Sequence, residues 1–252
     1  VTLGAMTAPA TMPAPADAPA ARPLRRRWRL ARRVLRGLRW LAWRFGALML
    51  AMVVLFWMVN PPTTWTIMTE ASPAGPGDAP RRWTPAAQIA PVMLRAVVAA
   101  EDANFCGHWG FDMAEIRRVI ARGEDRGAST LTQQTAKNVY LWQGRSWVRK
   151  ALETLYTPMI EMVWSKRRIL EVYLNVAEFG PGVFGIDAAA RHHFGTTPDR
   201  LTAPQAAALA SVLPAPKSRR PRPGSGQARA IADGAETIRR DGRAACFQAT
   251  GD

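Results

Sequence analysis

At 252 residues with 48% hydrophobic side chains, the chain is long enough for one substantial core with further segments around it. Its net charge of +15 is lopsided: ten arginines against Asp17 place nine of those charges in the first 60 residues. Three histidines without HExxH or similar spacing argue against a zinc site, and Cys106 and Cys246 are too few for a disulfide framework, leaving one bridge or two free thiols open.

Residues 1–24 are mostly alanine and proline, a composition with too little apolar variety to pack, and read as a disordered cytoplasmic tail. Residues 25–40 form a basic juxtamembrane segment, because the arginines run directly into FGALMLAMVVLFWMV, residues 45–59, where no charge occurs. With Leu41 to Arg44 included, and the Arg44 stem reaching toward the headgroups, residues 41–59 approach the ~20 residues a helix needs to cross hydrocarbon. Trp40, Trp43 and Trp57 sit near its ends, as interface anchors do. Every nearby arginine precedes the span, so a single pass with a cytoplasmic N-terminus is expected, with residues 60–252 outside the cytoplasm. No small-x-small site closely follows the apolar run, which favours an uncleaved anchor. Nucleic acid is not an expected partner: topology absorbs the arginine block, and the exported part has no basic aromatic platform.

Residues 60–81, broken by PPTTW and ASPAGPGDAP, are a predicted linker. From Arg82 the apolar spacing is helical, with Ile89, Val92, Met93, Ala96 and Val97 on one stripe. Asp112 with Glu115 predicts a capped helix ending near Gly123, and Thr130 with Gln133 caps the next. The helix after Arg149 sets Leu152, Leu155, Tyr156, Met159, Ile160 and Val163 on one face, with Pro158 expected to kink or split it. Ile169, Val172, Tyr173 and Val176 form a further stripe. Gly180, Gly182 and Gly185 predict a turn with positive φ, then a helix from Ile186 to Phe194. LTAPQAAALASVLP, residues 201–214, is the last clear helix. Strand signals are nearly absent, so the expected fold class is mainly α, with the folded domain at 82–215 and a basic C-terminal tail of uncertain order at 216–252.

Three stretches carry chemistry. EDANFCGHWG, residues 101–110, sets Glu101 and Asp102 side by side after an apolar run, with Phe105 and His108 close behind; alone, such a pair is an ordinary solvated helix end. GASTLTQQTAKN, residues 127–138, aligns Thr130, Gln134 and Lys137 at i, i+4 and i+7, with Ser129 and Thr130 at the helix mouth. That arrangement suits a phosphate or diphosphate, although a solvated polar face has the same pattern. RSWVRKALE brings Arg145, Arg149 and Lys150 ahead of Glu153, which is either a second cationic cluster with its own carboxylate or a plain i,i+4 ion pair.

EDANFCGHWGFD, GASTLTQQTAKN, RKALE, SKRRILEVYLNVAEFGPGVFGIDAAA and HHFG follow in this order at close spacing. The set resembles the glycosyltransferase module of peptidoglycan synthases (glycosyltransferase family 51), in its monofunctional, membrane-anchored form, over residues 82–215 and the anchor before them. The resemblance implies a lysozyme-like helical fold of two lobes, the smaller dipping into the surface of the bacterial inner membrane. It implies polymerisation of lipid II into glycan strands, with inversion and release of undecaprenyl diphosphate.

Carried onto this sequence, Glu101 matches the general base, while Asp102, Phe105 and His108 shape and orient its loop. Ser129, Thr130 and Gln134 would hold the donor phosphates or sugar; Lys137, Arg145 and Arg149 would offset the leaving diphosphate. Glu153 matches a second carboxylate that positions these cations or a divalent metal. No tightly bound cofactor is implied beyond such a cation, Mg or Mn, near Glu153. Lys166, Arg168, Glu171 and Asn175 match a scaffolding motif. Cys106, Pro158, His192 and His193 depart from the family pattern. No SxxK, SDN and KTG set occurs, so crosslinking is not expected. Expected partners are lipid II, the growing strand, membrane lipid and other cell-wall synthases. Two alternatives remain: a lysozyme-like enzyme that cleaves peptidoglycan, which gives Lys137, Arg145 and Arg149 no reason, and a non-catalytic anchored scaffold, which gives Glu101 and Glu153 none.

Overall fold

The computed structural model describes residues 22–70, 82–123, 127–144 and 146–248. The predicted tail up to residue 21, linker residues 71–81 and Arg145 lie outside them. The chain divides into two compact units, Val1–Ala47 and Leu48–Asp252. Helix α1, Arg22–Met58, takes the predicted basic segment and the predicted span into one element. Its stretch Ala31–Met58 is long and apolar enough to cross a membrane. Within the first unit the Arg44 guanidinium lies 4.1 Å from the centre of the Trp40 ring, a polar head carried over an apolar face.

In the second unit the last turns of α1 are keyed to the folded domain. Val53 is fully buried, and its carbonyl accepts a 2.9 Å hydrogen bond from the Trp164 indole. Arg168 donates to the Phe56 carbonyl and to Asn60 Oδ1, both at 2.8 Å. The Phe56 carbonyl is among those at the helix end that have no intrahelical donor, and Arg168 supplies one. A short helix α2, Trp65–Glu70, follows inside the predicted linker.

Helix α3, Pro91–Glu101, opens with proline at its first position, where the missing N–H is harmless. Helix α4, Met113–Arg122, is capped by Asp112 and ends at Gly123 with φ 61°, as the sequence predicts. Helix α5, Leu131–Tyr140, starts with the expected Thr130/Gln133 capping box. Helix α6, Trp147–Val163, runs through Pro158 unsplit. Burial of its inner face against α5 holds it together although the Thr154 carbonyl has no proline N–H to accept. Helix α7, Lys166–Val176, also packs on α5.

A two-stranded antiparallel sheet, β1 Glu178–Gly180 and β2 Val183–Phe184, makes the turn to helix α8, Ile186–Phe194. Gly182 and Gly185 take positive φ, 75° and 85°, as expected; Gly180 does not, because it is extended in β1. At Gly185 a side chain would also meet the Asn175 carbonyl at 2.9 Å.

Helix α9, Ala203–Val212, is alanine-rich and buried from Ala206 to Val212, and its small side chains let α3 and helix α10, Gly226–Arg240, pack closely around it. The C-terminal segment, whose order composition left open, is thus part of the core. Beyond α10, Phe247 is buried with its ring centre 6.4 Å from that of Phe105, and Arg243 donates to the Ala103 carbonyl at 2.8 Å. Cys246 forms a disulfide with Cys106 across a separation of 140 residues. Replacing both cysteines by serine therefore should lower stability by about 2–5 kcal/mol, chiefly by freeing the unfolded chain. The thermal midpoint in detergent should drop by about 5–15 °C, and an unchanged midpoint would show that the bridge does not constrain the domain.

Candidate active site

Glu101 ends α3, so its carboxylate projects from the last turn beside α5. Its Oε2 accepts a 2.8 Å hydrogen bond from Gln134 Nε2, while Oε1 is buried without a hydrogen-bond partner among the described residues. Burial pushes the Glu101 carboxyl above the usual range, opposed by the Gln134 hydrogen bond and by the charges of Lys137 and Arg219, with Asp102 adding to the rise. A carboxylate with one oxygen idle is, in its ionised form, a proton acceptor waiting for a donor.

The next residue works differently. Asp102 Oδ2 accepts the Leu131 backbone N–H at 3.0 Å, at the N-terminus of α5, and Oδ1 is 2.8 Å from His108 Nε2. Asp102 thus ties the loop to α5 and orients His108. Phe105 is wholly buried below that loop, with the Lys166 ammonium 4.4 Å from its ring centre. Lys166 also donates to the His108 carbonyl and to Glu161, both at 2.8 Å, so the loop is held from three sides.

Around α5 the predicted residues separate. Gln134 and Lys137 line a cavity of about 390 Å³, together with Tyr173, Glu178 and, opposite, Glu70 and Lys217. The last two form a 2.6 Å ion pair that sets α2 across from the segment after α9. Thr130 does not share the cavity wall: as N-cap it is buried, and its hydroxyl donates to the Gly110 carbonyl at 2.6 Å. Thr130 opens the turn on which Gln134 and Lys137 follow, its carbonyl accepting the Gln134 N–H, but its extended cap conformation commits its hydroxyl to Gly110 and to the α5 N-terminus. Ser129 is half-buried and accepts from Lys150 at 3.4 Å.

Lys137 makes no direct ion pair among the described residues. Burial lowers its pKa; Glu153 and Glu101 work against that shift, and Arg149 and Lys150 reinforce it. Glu153, 3% exposed, has both oxygens engaged: Oε2 by Arg149 Nη1 at 2.7 Å and Oε1 by the Lys150 ammonium. In this arrangement Glu153 offers a metal no idle oxygen, and its charge instead fixes two cations. Among the described residues, Asp102, His108 and Asp112 form the one group of His, Cys and acidic side chains close enough to hold a metal, their ligand atoms lying within 4.8 Å of one another. Asp102 and His108 already bond to each other, Asp102 also to the α5 N-terminus, and Asp112 to the α4 N-terminus.

A buried base and an unpaired cation on adjoining helices suit transfer of a group from an anionic leaving group to a hydroxyl. Residues 68–239 match the transglycosylase family. The chain belongs to that family. Similar proteins include the biosynthetic peptidoglycan transglycosylase of Jannaschia sp., 58% identical over 206 residues, covering 80% of this chain and 85% of the relative. That of Pseudomonas entomophila is 50% identical over 196 residues, covering 74% and 81%. This transglycosylase is a glycosyltransferase, and the family expected from the five ordered segments is the family found. The match extends well past residue 215, in keeping with the packing of α10.

One contributor escapes sequence reasoning, and a second shows there only as a member of a cluster. Tyr173 reads as one member of an apolar stripe, yet its hydroxyl meets Gln134 Oε1 at 3.0 Å. Lys150, visible in the cation cluster, links Ser129 to Glu153. A fully buried tyrosine must place its hydroxyl somewhere, and that requirement was the available signal for the first.

Proposed function

We propose that this transglycosylase polymerises lipid II into the glycan strands of peptidoglycan. The observation that carries the reading is the buried, unpartnered Oε1 of Glu101 on a carboxylate bonded to Gln134, which shares a cavity wall with Lys137. The sugar 4-hydroxyl of the acceptor gives its proton to Glu101 as its oxygen attacks the donor's anomeric carbon. The bond from that carbon to the diphosphate breaks from the opposite face, inverting the centre and releasing undecaprenyl diphosphate. Lys137 and the Arg149/Lys150 pair stabilise the departing charge, with Glu153 holding the pair in place. Arg145, beside this cluster in sequence, would add to it. In this reading no tightly bound cofactor is needed, and a divalent cation such as Mg or Mn would arrive with the diphosphate.

The anchor would place the site at the lipid. Arginines only before the span favour a cytoplasmic N-terminus and an extracytoplasmic catalytic domain, and the Cys106–Cys246 bridge fits an oxidising compartment. Val148, Leu155 and Met162, seven residues apart on α6, form an exposed apolar row suited to the membrane surface. The test is gel analysis of products after incubating the detergent-solubilised chain with labelled lipid II. A ladder of lengthening glycan is expected. No product from lipid II, together with shortening of preformed glycan, would replace the synthase reading with a lytic one.

A further inference from the structure

We propose that Tyr173 is a positioning residue for Glu101, acting through Gln134: its phenol fixes which end of the Gln134 amide faces the carboxylate. This rests on the reading of Glu101 as the base, and goes beyond it by assigning a residue that makes no contact with the carboxylate.

Three helices supply the relay. Tyr173 on α7 stands 3.0 Å from Gln134 Oε1 on α5, and Gln134 Nε2 stands 2.8 Å from Glu101 Oε2 at the end of α3. An amide has one accepting end and one donating end, and each faces a different partner here. The phenol can donate or accept, so the direction of its hydrogen bond decides the sense of the whole relay. With the phenol donating, the amide N–H points at Glu101 and favours the ionised carboxylate. With the amide reversed, two acceptors would meet at Glu101 unless the carboxyl were protonated, and a protonated carboxyl is no base.

Burial and the charge of Glu101 both push the Tyr173 phenol well above its usual pKa, so the donor proton is retained throughout the working range. Tyr173 is only 2% exposed, and its hydroxyl is committed to Gln134. The result is asymmetry at the base: Oε2 is held by a fixed donor and Oε1 is left for the acceptor hydroxyl.

Tyr173→Phe removes the donor and keeps the ring. With the Gln134 amide no longer fixed by the phenol, its hydrogen bond to the Glu101 carboxylate is weakened, which should raise the Glu101 pKa by up to about one unit. Because the base works ionised, the acid limb of the kcat/KM profile should move to higher pH by the same amount, with kcat lower below that limb and KM for lipid II unchanged. Gln134→Met should reproduce the shift with Tyr173 intact, and the double variant should shift no further. Infrared titration of the Glu101 carboxyl, taken as the difference from Glu101→Gln, reads the same pKa without any turnover. It therefore tests the relay even if lipid II proves not to be the substrate. An unmoved Glu101 titration in Tyr173→Phe overturns the proposal, and so does a raised KM with the acid limb in place, which would make Tyr173 a substrate contact.

Discussion

Glu101→Gln is expected to lower glycan polymerisation by about 100- to 10,000-fold, the range a positioned general base contributes. Shape and the hydrogen bond to Gln134 are kept, because the new side chain still offers an oxygen to Gln134 Nε2; only the proton-accepting charge is lost. The same change should not weaken the fold. Burial raises the Glu101 pKa, so the folded state disfavours the carboxylate relative to the unfolded chain. The wild type is therefore on a par with the variant at pH below the unfolded carboxyl pKa, and falls behind it as pH rises through the folded value. At neutral pH the inactive variant should melt at an equal or higher temperature than the active protein, and the gap should close on acidification. A destabilised variant would mean that the carboxylate is structural, and retained polymerisation would remove Glu101 from the role of base. A carboxylate whose ionised form is disfavoured by burial is a local cost to stability that function retains.

The parts of this site visible in the sequence are those encoded within one turn of helix. Asp112 with Glu115, and Thr130 with Gln133, show their caps at a spacing of three, and both caps form. Glu153 with Arg149 shows its pair at a spacing of four. Family resemblance supplied the link between segments that no local pattern contains. Contacts formed by distant residues stayed hidden: Tyr173 meets Gln134 across 39 positions, and the Cys106–Cys246 bridge closes 140. The C-terminal segment misled for a related reason. Its arginines and prolines dominate the composition, while the few side chains that bury it, Ala228, Ile231, Ala235, Ile238 and Phe247, are spread thinly enough to look like a weak helix. Thr130 carries two readings at once, because a residue type suited to binding phosphate is equally suited to capping a helix, and the cap is the one the hydrogen bonds express.

Lys137→Met should lower kcat/KM for lipid II by about 100- to 1,000-fold, the effect of removing one preorganised charge from a developing anion. Methionine keeps most of the stem, so the cavity wall is preserved while the ammonium is lost. The pH dependence separates this role from simple packing. Burial lowers the Lys137 pKa, so its charge is lost at a lower pH than an exposed lysine would lose it. Donor engagement by the wild type should weaken as pH rises through that value, and the variant, with no proton to lose, should lack this alkaline limb. Stability at neutral pH should hold or rise, since a half-buried cation without a direct ion pair among the described residues favours the unfolded chain in its charged form. Arg149 and Lys150 differ in kind: each is matched to Glu153, so their charges serve one another before any ligand arrives. Lys137 is held against its own desolvation with no such match, and an anionic substrate group is what would complete it. Turnover and donor binding unchanged in Lys137→Met, with the alkaline limb intact, would move the diphosphate site away from α5 and toward the Arg149/Lys150 pair.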